Sequence, residues 1–190
     1  MAFSQRSSMT VQEYFQLEQN NPETRYEYID GYVTMLAGGT LNHAMIAANV
    51  IITLGTLLRG SLCHVFTSDA RVHLSEQRYV YPDASVSCDE QDRGESNGIH
   101  TPRLIVEVLS PSTEAYDRGR KFSYYRKCPS IQEYLLIDSQ QHAVELYRRE
   151  KQTFWAYYAF DLGDTVELAS VRVQFPVNVL YENVLLNSLS

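Results

Sequence analysis

From Arg103 to about Gln140 the chain reads strand, helix, strand: "RLIVEVLS", a helical stretch from about Asp117 to Cys128, then "IQEYLLIDSQ". Two strands joined through a helix point to a crossover connection and so to a parallel pair inside one sheet. Within the first strand Glu107 places a carboxylate in an otherwise apolar run, and Asp83 in "YVYPDASVSC" does the same. A carboxylate in that setting needs a cation, a hydrogen-bond partner or a chemical role.

The flanking segments extend the pattern. "MTVQEYFQLEQ" opens on Thr10 as a helix cap and sets Val11, Tyr14, Phe15 and Glu18 at helical spacing. "RYEYIDGYVTML" alternates about Asp30-Gly31, a dipeptide that favours a tight hairpin turn. From Asn42 to about Arg59 apolar residues recur every three or four positions, predicting a long buried helix that ends near Gly60. "CHVFTS", "ARVHLSE", "YVYPDASVSC" and "RLIVEVLS" are rich in β-branched and aromatic residues and are expected as strands of one sheet. "DEQDRGESNGIH" carries no pattern and is expected as a mobile surface loop. The tail reads as one or two further hairpins with an irregular end. The fold class is therefore mixed α/β (α+β), a mixed sheet flanked by helices.

A chain of 190 residues, 44% hydrophobic and 21% charged, has the size and make-up of one globular domain, and no linker divides 1–190. No apolar stretch approaches the roughly 20 residues that span a bilayer, and the N-terminus lacks the apolar core of a signal peptide. A cytoplasmic protein is expected. Cys63, Cys88 and Cys128 are odd in number and form no CxxC pair, so they are read as reduced thiols rather than a disulfide or zinc framework. The net charge of −7 argues against coating nucleic acid by bulk attraction. Charge is segregated, however: "DRGRKFSYYRK" gathers Arg118, Arg120, Lys121, Arg126 and Lys127 against Asp117. That run is either a basic groove for a phosphate backbone or a solvated face.

Asp83 lies 24 residues before Glu107, and the two converge if their strands are neighbours. Two carboxylates with a backbone carbonyl and water supply the hard oxygen ligands that Mg²⁺ or Mn²⁺ prefers. The other reading is that Asp83 ends a strand in a Pro-Asp turn while Glu107 pairs with Arg103 or Arg148. Lys121 lies four residues from Asp117 and four from Tyr125, on a helix face with aromatic neighbours. Pointed inward, its ammonium would orient or deprotonate an attacking water and stabilise charge on a phosphorane-like transition state. Snorkelling to solvent along the sheet edge is the alternative.

Together "YPDASV", "LIVEVLSPST", "YDRGRKFSYYRK" and "IQEYLLID" resemble the restriction-endonuclease family of Uma-two type in the PD-(D/E)XK nuclease superfamily, from the first helix to about Tyr147. The resemblance implies a metal-dependent endonuclease site with Asp83, Glu107 and the Val108 carbonyl as ligands of Mg²⁺, or Mn²⁺ in its place. It implies that the superfamily lysine, expected two positions after the second acid where this chain has Leu109, has moved to Lys121. Glu27 matches a family acid that approaches the same cluster as a ligand or as the partner of Lys121. His43 is implied to face the cleft. Arg118 and Arg120 are the candidate substrate contacts, with Asp117 and Tyr125 supporting Lys121 and the acids from behind. The substrate implied is nucleic acid, DNA in the first instance, and cutting both strands with one site per chain calls for a homodimer. A different class stays open: a module that keeps the fold and binds nucleic acid or protein without turnover.

Overall fold

The computed structural model describes residues 8–95 and 97–186, so the expected 1–190 span and the N-terminus read above for a signal peptide reach beyond the described residues. Thr10 caps α1 (Val11–Asn20) in a reciprocal box with Glu13. β1 (Tyr26–Ile29) and β2 (Tyr32–Met35) form the expected hairpin, and Asp30 and Gly31 both take positive φ, as the tight turn requires. Thr40 caps α2 (Leu41–Leu57), which buries Ile46, Val50 and Leu54. There follow β3 (His64–Thr67), β4 (Val72–Ser75), β5 (Arg78–Val80), β6 (Ala84–Ser87) and β7 (Pro102–Leu109).

These strands do not form one sheet, contrary to the sequence expectation. A four-stranded sheet runs β2-β1-β5-β4. A six-stranded sheet runs β10-β9-β8-β7-β6-β3, with β8 (Glu133–Asp138), β9 (Ala143–Arg149) and β10 (Trp155–Asp161). The segment "YVYPDASVSC" divides at Pro82 into β5 of the small sheet and β6 of the large one. Proline has no N–H for the ladder and restricts the residue before it, so the strand breaks there and the chain steps between sheets.

The crossover is as the sequence predicts: β7 and β8 are parallel, with Glu107 level with Leu136, and the other ladders of the sheet are antiparallel. The crossing helix consists of α3 (Glu114–Tyr116), a π-helical segment (Asp117–Lys121) and α4 (Phe122–Tyr125). β11 (Thr165–Leu168) and β12 (Val173–Pro176) make a last hairpin before a 3₁₀ turn, Val177–Tyr181, that packs on α2. Alternation along β7 sends Val106 and Val108 to the α2 face, where Val50, Leu135 and Phe175 share their core. Ile105 and Leu109 point the other way, against Tyr125 of the crossing helix. The architecture is thus mixed α+β with a sheet flanked by helices.

Two further expectations are corrected. The loop after β6 is anchored rather than free: buried Asp92 accepts from Ser87 Oγ, His100 N–H and both donors of Thr101. Cys63 and Cys88 are joined in a disulfide, not separate thiols. The β3–β6 register sets His64 opposite Ser87, and one more step outward brings the two cysteines face to face. Cys128 is free and buried. Among the described residues no helix is long and apolar enough to cross a membrane.

Candidate active site

The antiparallel register that pairs Ala84 with Val106 brings Asp83, at the break after Pro82, level with Glu107. Asp83 Oδ2 accepts the Val108 N–H at 2.7 Å, tying the sheet-switching segment to the end of β7. His43, in the first turn of α2, places Nε2 3.4 Å from the same oxygen. Glu107, by the period of two along its strand, faces the crossing helix. There Lys121 Nζ meets its Oε1 at 2.9 Å and Tyr125 OH donates to the same atom at 2.6 Å.

Lys121 Nζ also lies 3.1 Å from Glu27 Oε1 and 3.7 Å from Asp117 Oδ1. Glu27 comes from β1 of the small sheet and accepts the Tyr81 N–H at 3.3 Å. Both sheets and the crossing helix therefore meet at one ammonium, whose side chain is 8% exposed. The π segment contributes to this convergence. At 3.6 residues per turn each i to i+4 step drifts by about 40°, and one wider turn takes up part of that drift. Asp117, Lys121 and Tyr125 are all buried toward the sheet, and π segments recur at functional sites.

Burial, reinforced by the Asp83, Asp117 and Glu27 carboxylates, pushes the Glu107 carboxyl up to about 8 in spite of Lys121. Burial also raises Asp117. Burial alone would favour a neutral Lys121, yet Glu107, Glu27 and Asp117 hold its ammonium well above the ordinary lysine value. The hydrogen bond to Asp83 raises His43.

A pH dependence follows. The folded value of Glu107 lies above its unfolded 4.5, so its contribution to stability is full below 4.5 and is lost as pH rises toward about 8. His43 is also raised and loses its contribution above 6.5. His73, pushed down to about 4 by burial, acts in the opposite sense only below 6.5. Without metal the protein should therefore lose melting temperature between pH 6.5 and 8. The limiting slope is roughly 1.4 kcal/mol per pH unit for each group. Glu107→Gln should flatten that decline, and an equally steep decline in the variant would contradict the assignment.

Other buried acids behave differently. Glu133 accepts from Arg148 Nε, the Ala169 and Ser170 N–H groups and Ser170 Oγ. Asp92 likewise has its own donors, described above. At the cluster three buried carboxylates share one lysine, and Asp83 adds a fourth beside them. The two contacts of Asp83 named above fall on Oδ2 and those of Glu107 on Oε1. Hard oxygen donors with an excess of negative charge suit a hard divalent cation, and Asp83, Glu107 and the Val108 carbonyl offer such a set. Among the described residues no three His, Cys, Asp or Glu side chains form a ready-made metal cluster, so water would have to complete the coordination.

The structure thus brings together Glu27, His43, Asp83, Glu107, Val108, Asp117, Lys121 and Tyr125. It does not bring in the two arginines expected as substrate contacts. Arg118 is held by Glu114 and Glu145 on the β9 side, and Arg120 is exposed. No motif in the sequence marks Tyr81, whose backbone fixes Glu27 and whose hydroxyl donates to Glu18 at 2.6 Å. A cleft of about 1010 Å³ opens beside Arg103 and Glu133, at the other end of β7 and β8, and touches none of the four carboxylates.

Residues 11–179 match a family described as "Uma2: Putative restriction endonuclease". An uncharacterized protein of Synechocystis sp. is 38% identical over 174 residues, 91% of each chain. A second uncharacterized Synechocystis protein is 33% identical over 163 residues, 84% of this chain and 91% of its own. A crystal structure from Anabaena variabilis, described as a putative nuclease belonging to DUF820, shares the fold with a TM-score of 0.75 at 20% identity. It covers 93% of this chain, which covers 99% of it.

Proposed function

Since this chain belongs to the Uma2 family of "putative restriction endonucleases", we propose that it is a metal-dependent endonuclease that hydrolyses phosphodiester bonds in DNA. The observation that carries this reading is the sharing of one buried ammonium by Glu27, Glu107 and Asp117, with Asp83 alongside. Such an excess of buried carboxylate is costly in a purely structural site, and the other buried acids of this chain avoid it.

Asp83, Glu107 and the Val108 carbonyl would hold Mg²⁺, with Mn²⁺ as a substitute. The cation supplies Lewis acidity at the phosphate and a water of lowered pKa. Lys121, kept protonated by its three carboxylates, is suited to donate to charge that develops on the phosphoryl oxygens, and not to act as a base. Glu27 and Asp117 aim its side chain, and Tyr125 OH fixes the Oε1 edge of Glu107. His43, in reach of Asp83, is placed to contact a phosphate or a leaving oxygen.

We place the activity in the cytoplasm; the Cys63–Cys88 disulfide sits at the far end of β6 from Asp83 and takes no part in the site. The test is a nicking assay on supercoiled plasmid and on RNA, with Mg²⁺ or Mn²⁺ and with chelator. Metal-dependent nicking of plasmid supports the proposal. Binding without cleavage under both metals would favour the inactive-module reading, and RNA cleavage alone would refute DNA as substrate.

A further inference from the structure

β10 is an end strand of the six-stranded sheet, and among the described residues no strand pairs with its outer edge. Its sequence, "WAYYAFD", contains no proline, glycine or lysine, and its ladder with β9 runs without a bulge. Natural edge strands are ordinarily guarded by such features, because open N–H and C=O groups template another strand. At the start of the hairpin Glu150 N–H donates to Phe154 C=O. Hydrogen-bonded and non-bonded pairs alternate in an antiparallel ladder. The even-numbered residues of β10 therefore bond β9, and Trp155, Tyr157 and Ala159 turn their backbone groups to the open edge, while Asp161 N–H donates to Asp164 Oδ2 and its C=O accepts the Asp164 N–H.

We infer that this edge is the dimer interface: β10 pairs antiparallel with β10 of a second copy about a two-fold axis at Tyr158, joining the two large sheets into one. The strand is self-complementary in this register. Tyr157 faces Ala159 of the second copy and Phe160 faces Ala156, so large residues meet small ones on both faces. Phe154 and Leu162, 57% and 53% exposed, fall opposite each other, and Tyr158 meets its own copy. Asp161 of the second copy falls opposite Trp155, over whose ring the Arg149 guanidinium lies at 4.5 Å, so charge is matched at both ends. The closed two-fold pairing satisfies the β10 edge of each copy and leaves neither β10 open to a third chain.

The test is sedimentation equilibrium of the full chain, without metal or nucleic acid, so its outcome is independent of cleavage. The wild type is expected at twice the 21.8 kDa chain mass. Ala159→Pro removes an outward N–H and leaves the β9 ladder intact. Because symmetry counts the loss twice, it should weaken the dimer by at least about 30-fold. Tyr158→Glu, which sets two like charges across the axis, should dissociate the dimer while circular dichroism stays that of the wild type, and it serves if the proline variant fails to fold. A monomeric wild type at about 50 μM, or a dimer that persists unchanged in the folded variants, would overturn the inference; dissociation constants of stable pairs lie far below that concentration.

Discussion

Lys121→Ala is expected to lower phosphodiester cleavage by roughly 10²- to 10³-fold while metal binding persists, and to destabilise the metal-free fold by about 3–5 kcal/mol. The ammonium is the shared partner of Glu27, Glu107 and Asp117, all of them buried. Its removal leaves three carboxylates facing one another with Tyr125 OH and Tyr81 N–H as neutral donors. Part of the cost is relieved by protonation, since burial already raises the Glu107 carboxyl above its ordinary value, so the loss should grow with pH. A bound divalent cation should relieve it further. The checks are denaturant unfolding with and without Mg²⁺ and the nicking assay on the same preparation. Lys121→Gln retains the bulk and a donor and separates charge from packing. Unchanged cleavage in both variants would refute the role given to Lys121.

Asp83→Ala and Glu107→Ala should each lose metal binding and cleavage together. A cation that binds the folded state alone stabilises it by about 2.7 kcal/mol at one hundred times its dissociation constant. For a chain of this length that corresponds to a rise in melting temperature of about 5–10 °C, which both variants should lack. Asp83→Ala carries an added cost, because the Val108 N–H loses its acceptor; a buried donor left unpaired costs about 1–3 kcal/mol. Glu107→Ala likewise leaves the buried Tyr125 OH without its acceptor and takes a partner from Lys121, so its metal-free stability should fall as well. A full metal-induced shift in either variant would place the cation elsewhere.

Much of this arrangement is legible in the residues. The crossover from β7 to β8 follows from strand and helix lengths, and the period of two along β7 sets Glu107 opposite the faces of Val106 and Val108. The spacing from Asp117 to Lys121 to Tyr125 predicts a shared helix face, and the three do share the buried side. What the residues do not reveal depends on which strands become neighbours. The sheet splits at Pro82 because β5 finds β1 as its partner while β6 finds β7; local propensity is the same on both sides of the break. The pairing of Cys63 with Cys88 depends on the β3–β6 register, and the anchoring of the acidic loop depends on the donors that meet Asp92. Arg118 misleads for the same reason: its charge suggests a phosphate contact, but Glu145 of β9 lies across from it and takes it up.

The proposed cation pocket between Asp83 and Glu107 underlies every chemical role assigned to the site. It is tested most directly by anomalous diffraction from crystals soaked in Mn²⁺. The expected result is one strong peak within coordination distance of both carboxylates and of the Val108 carbonyl, with Lys121 still beside Glu107. Absence of a peak there at saturating Mn²⁺, or a peak bound by other residues, would contradict the pocket and the nuclease mechanism built on it.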